Sequence, residues 1–117
     1  MYVCIIMKWN NITNINQLDE IMNASNNGKV MIFKHSSRCS ISSSALNRIE
    51  RNWSNEVDDL KTKPFYLDLI AYRNISNEVD QKWSIEHQSP QVLIIENGKC
   101  IYNESHMGID YNEIINL

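Results

Sequence analysis

The sequence of 117 residues is poor in the features that mark several classes of protein. It has three Gly and two Pro, too few for a collagen-like chain or a flexible linker, and its 43% hydrophobic content is too high for a disordered chain. No hydrophobic run approaches the roughly 20 residues that a membrane-spanning helix requires. Acidic residues outnumber basic residues by 14 to 11, so the chain lacks the basic excess typical of nucleic-acid binding. We therefore expect a folded domain that binds neither nucleic acid nor membrane.

Cysteine is also scarce. Cys4, Cys39 and Cys100 form an odd set without a Cys-x-x-Cys pair, which disfavours a disulfide framework and a zinc site. We expect free thiols, no metal and a reducing, cytoplasmic location.

The length is typical of one domain, which can bury roughly two thirds of its surface without disulfides. We expect a single domain over residues 1–117, present as a monomer. The opening residues 1–6 are apolar but lack the basic start and the cleavage site of a secretion signal. Either Met1 or Met7 is a candidate for the natural first residue. If it is Met7, residues 1–6 would form a disordered extension.

Hydrophobic periodicity predicts an alternation of helices and strands. Helices are predicted where apolar residues recur every three or four positions: residues 14–24, 39–57, 74–83 and 111–117, the last two capped by Ser76 and Asp110. Strands are predicted at short apolar runs: residues 29–33, 64–70, 91–96 and 99–102, with the opening segment as a fifth candidate. The Asn97-Gly98 pair predicts a type I′ hairpin turn. This order indicates an α/β protein with a thioredoxin-like fold: a mixed sheet of four to five strands flanked by helices, with a C-terminal hairpin and short helix.

Cys39 lies at the start of a predicted helix, after a predicted strand and a short polar loop. The unpaired N–H groups and partial positive charge of a helix N-terminus favour a thiolate. An ordinary thiol, with a pKa near 8.5, needs roughly 2.7 kcal/mol to become mostly ionised at neutral pH, and a helix supplies at most about 2 kcal/mol. Arg38, Lys34 and the Ser42 hydroxyl are the neighbours expected to supply the rest. The alternative, an inert buried Cys39, is disfavoured by the polar residues around it.

Ser42 stands three residues after Cys39, where a second cysteine would resolve a mixed disulfide. A hydroxyl cannot do this, so a mixed disulfide on Cys39 must wait for another thiol. Cys100 is expected near the hairpin turn, on the order of 20 Å from Pro90, and is assigned a packing role. Cys4 is the remaining candidate within the chain.

The Ser89-Pro90 bond lies just before a predicted strand. A cis bond there would expose the backbone of Ser89 to a substrate, and a trans bond at an edge strand is the alternative. The predicted hairpin register pairs Pro90 with Ser105 and brings His106 to the same end. We expect His35 and His106 to bind a ligand or to tune the thiol.

The string Lys-His-Ser-Ser-Arg-Cys-Ser-Ile-Ser at residues 34–42 resembles the monothiol bacilliredoxin family. Supporting segments follow in the same order within residues 30–110: residues 66–70, 72–73, 76–77, 87–91 and 105–106. The family usually has proline directly after the cysteine, where this chain has Ser40, but Cys39 and Ser42 keep the family pattern.

The resemblance implies a thioredoxin-like protein of the bacillithiol system of low-G+C Gram-positive bacteria, with bacillithiol as co-substrate and no bound cofactor. It implies that Cys39, with Arg38 and Ser42 beside it, takes bacillithiol from S-bacillithiolated cytosolic proteins. Free bacillithiol or a disulfide reductase would then clear the mixed disulfide. The malate carboxylates of bacillithiol would suit Lys34, Arg38 and Arg73. The expected substrate-binding set is Lys34, His35, Ser36, Arg73, Ser89, Pro90 and His106.

Two other functions stay open on the sequence. A monothiol scaffold could hold an iron–sulfur cluster between two subunits, although the chain lacks the Cys-Gly-Phe-Ser string of such glutaredoxins. A thioredoxin-fold interaction module with an incidental cysteine is the third interpretation. Anaerobic reconstitution of a cluster and the rate of Cys39 alkylation against pH would discriminate among the three.

Overall fold

A computed structural model describes residues 7–54 and 57–117 and contains a five-stranded mixed sheet. Its strands are β1 (Asn10–Asn11), β2 (Lys29–His35), β3 (Thr62–Asp68), β4 (Gln91–Glu96) and β5 (Lys99–Ser105). The helices are α1 (Gln17–Ala24), α2 (Ser40–Asn52), α3 (Asp58–Lys61), α4 (Arg73–Lys82) and α5 (Tyr111–Ile115), and a 3-10 turn spans His106–Gly108. The strand order is β1-β3-β2-β4-β5, with the first three parallel and β4 antiparallel to both of its neighbours. The predicted mixed sheet flanked by helices is confirmed.

Both faces of the sheet are covered, as the nearly continuous apolar run in β2 predicts. Successive side chains of a strand point to opposite faces. Val30 and Ile32 pack with residues of α1 and α4, whereas Met31 and Phe33 pack with residues of α2 and α5. The central strand therefore contributes to two separate hydrophobic cores.

The hairpin turn has the predicted type I′ character, since Asn97 and Gly98 both have positive φ angles of 52° and 77°. The Gly98 N–H donates to the Ser25 hydroxyl at 2.9 Å, and the Asn97 N–H donates to the Ser25 carbonyl at 2.8 Å. The turn is thus anchored to the end of α1.

The hairpin register differs from the prediction by one residue. It begins as expected beside the turn, but a bulge opposite Ile94 and Ile95 adds one residue to β5. Gln91 therefore pairs with Ser105, where the sequence predicted Pro90. The end of β5 still returns to this end of β4.

The helix predicted over residues 39–57 is shorter in the structure. It ends at Asn52, the backbone of Trp53 is extended, and the short helix α3, which was not predicted, follows. The Trp53 indole donates to the Asp59 carboxylate at 2.6 Å, and the Ser54 N–H donates to Asp58 at 2.8 Å. These side-chain acceptors compete with a continued helix.

The two predicted N-caps have opposite outcomes. Asp110 caps α5, where it accepts a hydrogen bond from the Asn112 N–H at 2.9 Å. Ser76 does not cap α4, because the helix begins at Arg73 with Tyr72 as its N-cap. Ser76 is instead buried inside the helix, and its hydroxyl has no hydrogen-bond partner among the described residues.

Predictions for the opening strand, the extension over residues 1–6 and Cys4 lie outside the described residues. In the part of the chain that is described, no helix is long and apolar enough to cross a membrane.

Candidate active site

Four segments meet at one edge of the sheet. The parallel strands β2 and β3 end together, where His35 pairs with Asp68. Antiparallel β4 begins at the same edge, and its first residue, Gln91, pairs with Ser105 at the end of β5. The loop after β2, which carries Cys39, therefore shares this edge with the loops that flank the other three strands.

Cys39 is the N-cap residue of α2, with extended backbone (φ −114°, ψ 119°) and a free, partly exposed thiol. Its N–H donates to the Ser36 carbonyl at 3.1 Å, and its carbonyl accepts the first helical hydrogen bond from the Ser43 N–H at 3.1 Å. An N-cap residue lies beside the unpaired N–H groups of the first helical turn. This position leaves the sulfur partly accessible beside the positive end of the α2 dipole.

Ser42 lies in the first turn of α2 and is fully buried, at 0% exposure. Its hydroxyl accepts a hydrogen bond from the Ser36 N–H at 3.0 Å and lies 2.7 Å from Nδ1 of His35. The expected hydrogen bond from Ser42 to the sulfur of Cys39 is not found among the contacts of the described residues. The hydroxyl instead joins the start of α2 to the end of β2.

His35 is buried under α2 and is the last residue of β2, two positions beyond the predicted end of that strand. Its ring lies 5.7 Å from the ring of Tyr66 and 6.4 Å from that of Phe33, between centroids. Burial lowers the pKa of His35, and the nearby carboxylates of Asp68 and Glu50 oppose this shift only in part. We conclude that His35 is uncharged at neutral pH and is placed to act on the thiol loop more than on a ligand.

Lys34 is fully buried, and this corrects the prediction that it contacts the carboxylates of a ligand. Its ammonium forms an ion pair with Asp80 of α4 and lies 3.3 Å from Nδ1 of His87. Burial lowers the pKa of Lys34, while the hydrogen bond and charge of Asp80 raise it. Since its charge is already neutralised inside the protein, Lys34 is not available to an anionic ligand.

Neither Asp80 nor His87 was predicted to contribute to the site. His87 Nδ1 lies 3.5 Å from the Asp80 carboxylate, and burial together with the positive charge of Lys34 lowers the pKa of His87. A neutral His87 accepts a hydrogen bond from the Lys34 ammonium. A signal for this cluster is present in the alternation of β2, because Lys34 follows Val30 and Ile32 on the face that α4 covers. A lysine buried there requires a carboxylate partner.

Arg38 and Arg73 remain available to an anion. Arg38 is exposed directly before Cys39, and Arg73 is exposed at the start of α4, after the loop that follows β3. Arg73 also contributes to the lowered pKa of His87, which places it on the α4 side of the same edge. Neither arginine has an ion-pair partner within residues 7–54 and 57–117.

The Ser89-Pro90 peptide bond is cis, which was one of the two alternatives considered. Pro90 is buried, and its carbonyl accepts a hydrogen bond from the His106 N–H at 3.2 Å. The Ser89 hydroxyl is buried without a hydrogen-bond partner among the described residues. Ser36, half-buried, directly follows β2, and Lys34 of β2 pairs with Gln91 directly after Pro90, so the two loops lie at the same end of the sheet.

His106 is exposed and has a left-handed backbone, with φ 54°, at the start of the 3-10 turn. Its carbonyl accepts a hydrogen bond from the Arg48 guanidinium of α2 at 3.3 Å, as does the carbonyl of Ile109. Arg48 had no predicted role. It fixes the turn that follows β5 against the helix that follows Cys39.

Cys100 is half-buried on β5, and its thiol donates to the Tyr102 carbonyl at 3.3 Å. Burial raises the pKa of Cys100. It pairs with Ile95, four residues along β4 from Gln91, which corresponds to about 13 Å of strand. The location fits the packing role predicted for this thiol.

Comparison with known families gives a match over most of the chain. The family described as "Monothiol bacilliredoxin BrxC" matches residues 10–114.

Solved structures with the same architecture are thioredoxin-like. A protein described as an oxidoreductase with a thioredoxin fold is 25% identical, with a TM-score of 0.78 over 92% of this chain and 90% of that chain. Thioredoxin from Malassezia sympodialis is 16% identical, with a TM-score of 0.72 over 97% and 90% of the two chains. Thioredoxin f from spinach chloroplast is 13% identical, with a TM-score of 0.66 over 98% and 94%. These similarities confirm the thioredoxin-like fold.

Proposed function

Because the chain belongs to the monothiol bacilliredoxin family, we propose that it removes bacillithiol from S-bacillithiolated proteins through a mixed disulfide on Cys39. The family and the fold together support a thiol redox role. The S-bacillithiolated substrate is our proposal. The observation that carries the proposal is one partly exposed thiol at the start of α2, followed three residues later by Ser42.

In the first step, the Cys39 thiolate attacks the bacillithiol sulfur of the protein mixed disulfide. A disulfide bond forms between Cys39 and bacillithiol, and the bond to the target cysteine breaks. The target leaves as a thiolate that takes a proton from water. The exchange needs no oxidant or reductant, and the start of α2 favours the attacking anion.

We propose that a thiol from outside releases bacillithiol from Cys39, since residues 7–54 and 57–117 place no second thiol beside it. Ser42 cannot attack a disulfide, and Cys100 lies far along the hairpin. A free bacillithiol thiolate attacks the bacillithiol sulfur, forms oxidised bacillithiol and releases Cys39 as a thiolate. A disulfide reductase then reduces the oxidised bacillithiol. A reducing cytoplasm is the compartment in which we propose that this exchange takes place.

Recognition of the bacillithiol moiety is assigned to groups at the same edge of the sheet. Arg38 and Arg73 are exposed cations for its carboxylates, since guanidinium groups bind carboxylates in bidentate fashion. The backbone of Ser89 at the cis bond to Pro90 is the proposed polar contact. Lys34 is omitted from this set because it is buried against Asp80.

The test is intact-mass and peptide-level mass spectrometry after exposure to oxidised bacillithiol. The protein is expected to gain one bacillithiol on Cys39, and release of bacillithiol from an S-bacillithiolated test protein is expected in parallel. Cys39→Ser abolishes both events. Cys100→Ser, the matched control, leaves both unchanged. An adduct that persists on Cys100 in the Cys39→Ser variant would reject the assignment.

A further inference from the structure

The segment between α4 and β4, residues 83–90, is held by the side chain of the first residue of β4. Gln91 is buried, at 1% exposure. Its amide oxygen accepts a hydrogen bond from the Gln88 N–H at 3.4 Å, and its amide nitrogen donates to the Glu86 carbonyl at 3.0 Å. The orientation of the amide is fixed, because a backbone N–H can only donate and a carbonyl can only accept. Both polar ends of one buried side chain therefore bind the segment that precedes it.

The residue between these two contacts is held by a second buried group. His87 lies between Glu86 and Gln88, and its Nδ1 lies 3.3 Å from the Lys34 ammonium. Lys34 and Gln91 are partners on adjacent strands, so their side chains share the face of the sheet that α4 covers. Lys34 is in turn paired with Asp80 of α4. The three consecutive residues 86–88 are thus bound to one polar cluster under α4.

The backbone of Ser89, the next residue, is left free by this cluster. Ser89 is half-buried, and neither its N–H nor its carbonyl has a hydrogen-bond partner among the described residues. Its two neighbours are anchored, since the Gln88 N–H binds the Gln91 amide and the Pro90 carbonyl accepts from the His106 N–H at 3.2 Å. A free N–H and a free carbonyl of one residue are complementary to an amide, which also donates and accepts.

We infer that Gln91 is a positioning residue that holds the backbone of Ser89 in place for the disulfide substrate, with His87 as a second anchor. The inference rests on the proposed function, in which the backbone of Ser89 contacts the substrate, and it names the side chains that fix that backbone. Ordering a loop on binding costs conformational entropy, so a loop that buried side chains already hold pairs with a substrate more readily.

The first test compares two disulfide substrates. An S-bacillithiolated test protein has amides beside its disulfide, whereas bis(2-hydroxyethyl) disulfide has none. Gln91→Met keeps the approximate volume of the side chain and removes both hydrogen bonds. Adduct formation on Cys39, followed by intact mass, is expected to slow about fivefold with the protein substrate, as for loss of one hydrogen bond, and to change by less than about twofold with the small disulfide. Equal effects on the two substrates would overturn the inference.

The matched control is a buried side chain that holds the opposite end of β4. Ser25 is fully buried, and its hydroxyl accepts from the Gly98 N–H at 2.9 Å and donates to the Met22 carbonyl at 2.6 Å. Ser25→Ala therefore removes the same kind of contact from a turn at the other end of the sheet. Both rates are expected to stay unchanged in this variant. A Ser25→Ala variant as slow as Gln91→Met with the protein substrate would contradict the role of Gln91.

The second test uses the other anchor and decides the question even where Gln91→Met does not fold. In His87→Asn the amide oxygen replaces Nδ1 as the acceptor for Lys34, so the rate with the protein substrate is expected to be retained. His87→Leu has no acceptor and is expected to lower that rate about threefold, with the small disulfide again unaffected. Equal rates in the two variants would overturn the inference.

Failure of the inference differs from failure of the proposed function. An unmodified protein that takes no bacillithiol from the S-bacillithiolated substrate would overturn the proposed function, and the inference with it. An unmodified protein that takes bacillithiol, together with a Gln91→Met variant that is equally fast, would overturn the inference alone.

Discussion

Lys34 and His35 are consecutive residues of β2, yet they lie on opposite faces of the sheet in different electrostatic environments. Lys34 faces α4, is fully buried and is paired with Asp80, with His87 at 3.3 Å. His35 faces α2, is 6% exposed and hydrogen-bonds the neutral hydroxyl of Ser42. Lys34 is compensated by a counter-ion, whereas His35 is buried without a direct ionic partner among the described residues.

The difference follows from the ordinary pKa values of the two side chains. Removing the proton from an ordinary lysine at pH 7 costs about 5 kcal/mol, so a buried Lys34 is better accommodated by a carboxylate than by deprotonation. Histidine is already mostly uncharged at pH 7 and requires no such partner. The Lys34 cluster therefore serves chiefly to hold α4 and the segment before β4, whereas His35 is free to act on the thiol loop.

The largest effect is expected from breaking the ion pair. Asp80→Asn leaves the Lys34 charge without its counter-ion, and removal of one partner from a buried pair costs roughly 3 kcal/mol or more. Chemical denaturation at pH 7 measures the free energy of unfolding. The matched control is Asp19→Asn, which removes a carboxylate 77% exposed and 3.4 Å from Lys82, with an expected loss below about 1 kcal/mol. Equal losses in the two variants would contradict the comparison.

Loss of the Ser42 hydroxyl, on the face of the sheet opposite Lys34, is expected to lower the free energy of unfolding by less than loss of the Asp80 charge. Ser42→Ala removes the acceptor of the partly buried Ser36 N–H and the partner of buried His35, which costs about 1–3 kcal/mol of stability. Ser43→Ala, on the same turn but exposed, is expected to change stability by less than about 0.5 kcal/mol. Denaturation of both variants under the same conditions decides the question, and a Ser42→Ala variant as stable as its control would be inconsistent with the contacts described.

Stability is expected to decline as the pH falls below about 6.5, because the pKa of His35 is lower in the folded state than in the unfolded state. The unfolded chain then binds the proton first, and His35 alone contributes a slope of at most about 1.4 kcal/mol per pH unit. His87, whose pKa is also lowered, changes stability in the same direction. Denaturation midpoints from pH 7 to pH 5 are expected to be less pH-dependent in His35→Gln. A steeper pH dependence of stability in that variant would mean that His35 stabilises the folded state as the pH falls, which would contradict the lowered pKa.

The smallest effect concerns an exposed cation and contrasts with buried Lys34. Arg38→Gln is expected to slow the reaction with anionic oxidised bacillithiol by up to about fivefold at low salt, since exposed ion pairs contribute up to about 1 kcal/mol. Stopped-flow or mass-spectrometric rates at two salt concentrations measure it, and the difference from the unmodified protein should shrink at high salt. Lys99→Gln, at the hairpin turn, is the control expected to leave the rate unchanged. A loss that is independent of salt would exclude a charge interaction.

Much of the fold was predictable because its local signals agree with one another. The apolar run of β2 predicts a strand covered on both faces, and Asn97-Gly98 predicts the hairpin turn that the structure contains. The one-residue error in register arose from a bulge, and no residue between Ile94 and Tyr102 marks it in the sequence. Likewise, Ser76 has the chemistry of an N-cap, but the N-cap of α4 is Tyr72, four residues earlier.

The position of the reactive cysteine in the site was predictable from the sequence, whereas the contacts of the side chains around it were less so. The polar loop before a helix indicated that Cys39 would lie at a helix N-terminus, and the residue pattern indicated the family. Whether Lys34 faced a ligand or a carboxylate depended on Asp80, which is 46 residues away in sequence. A residue's charge can be read from its identity, but its partner depends on which elements pack against it.

The sequence by itself determined the order of the elements, the single thiol at the start of α2 and the absence of a cysteine at position 42. Each of these follows from residues that are neighbours along the chain. Only the tertiary structure decided that Lys34 is neutralised by α4 and that Ser42 bonds His35. These pairings arise because alternate residues of a strand face different helices, and the chain must fold before the two helices are in place.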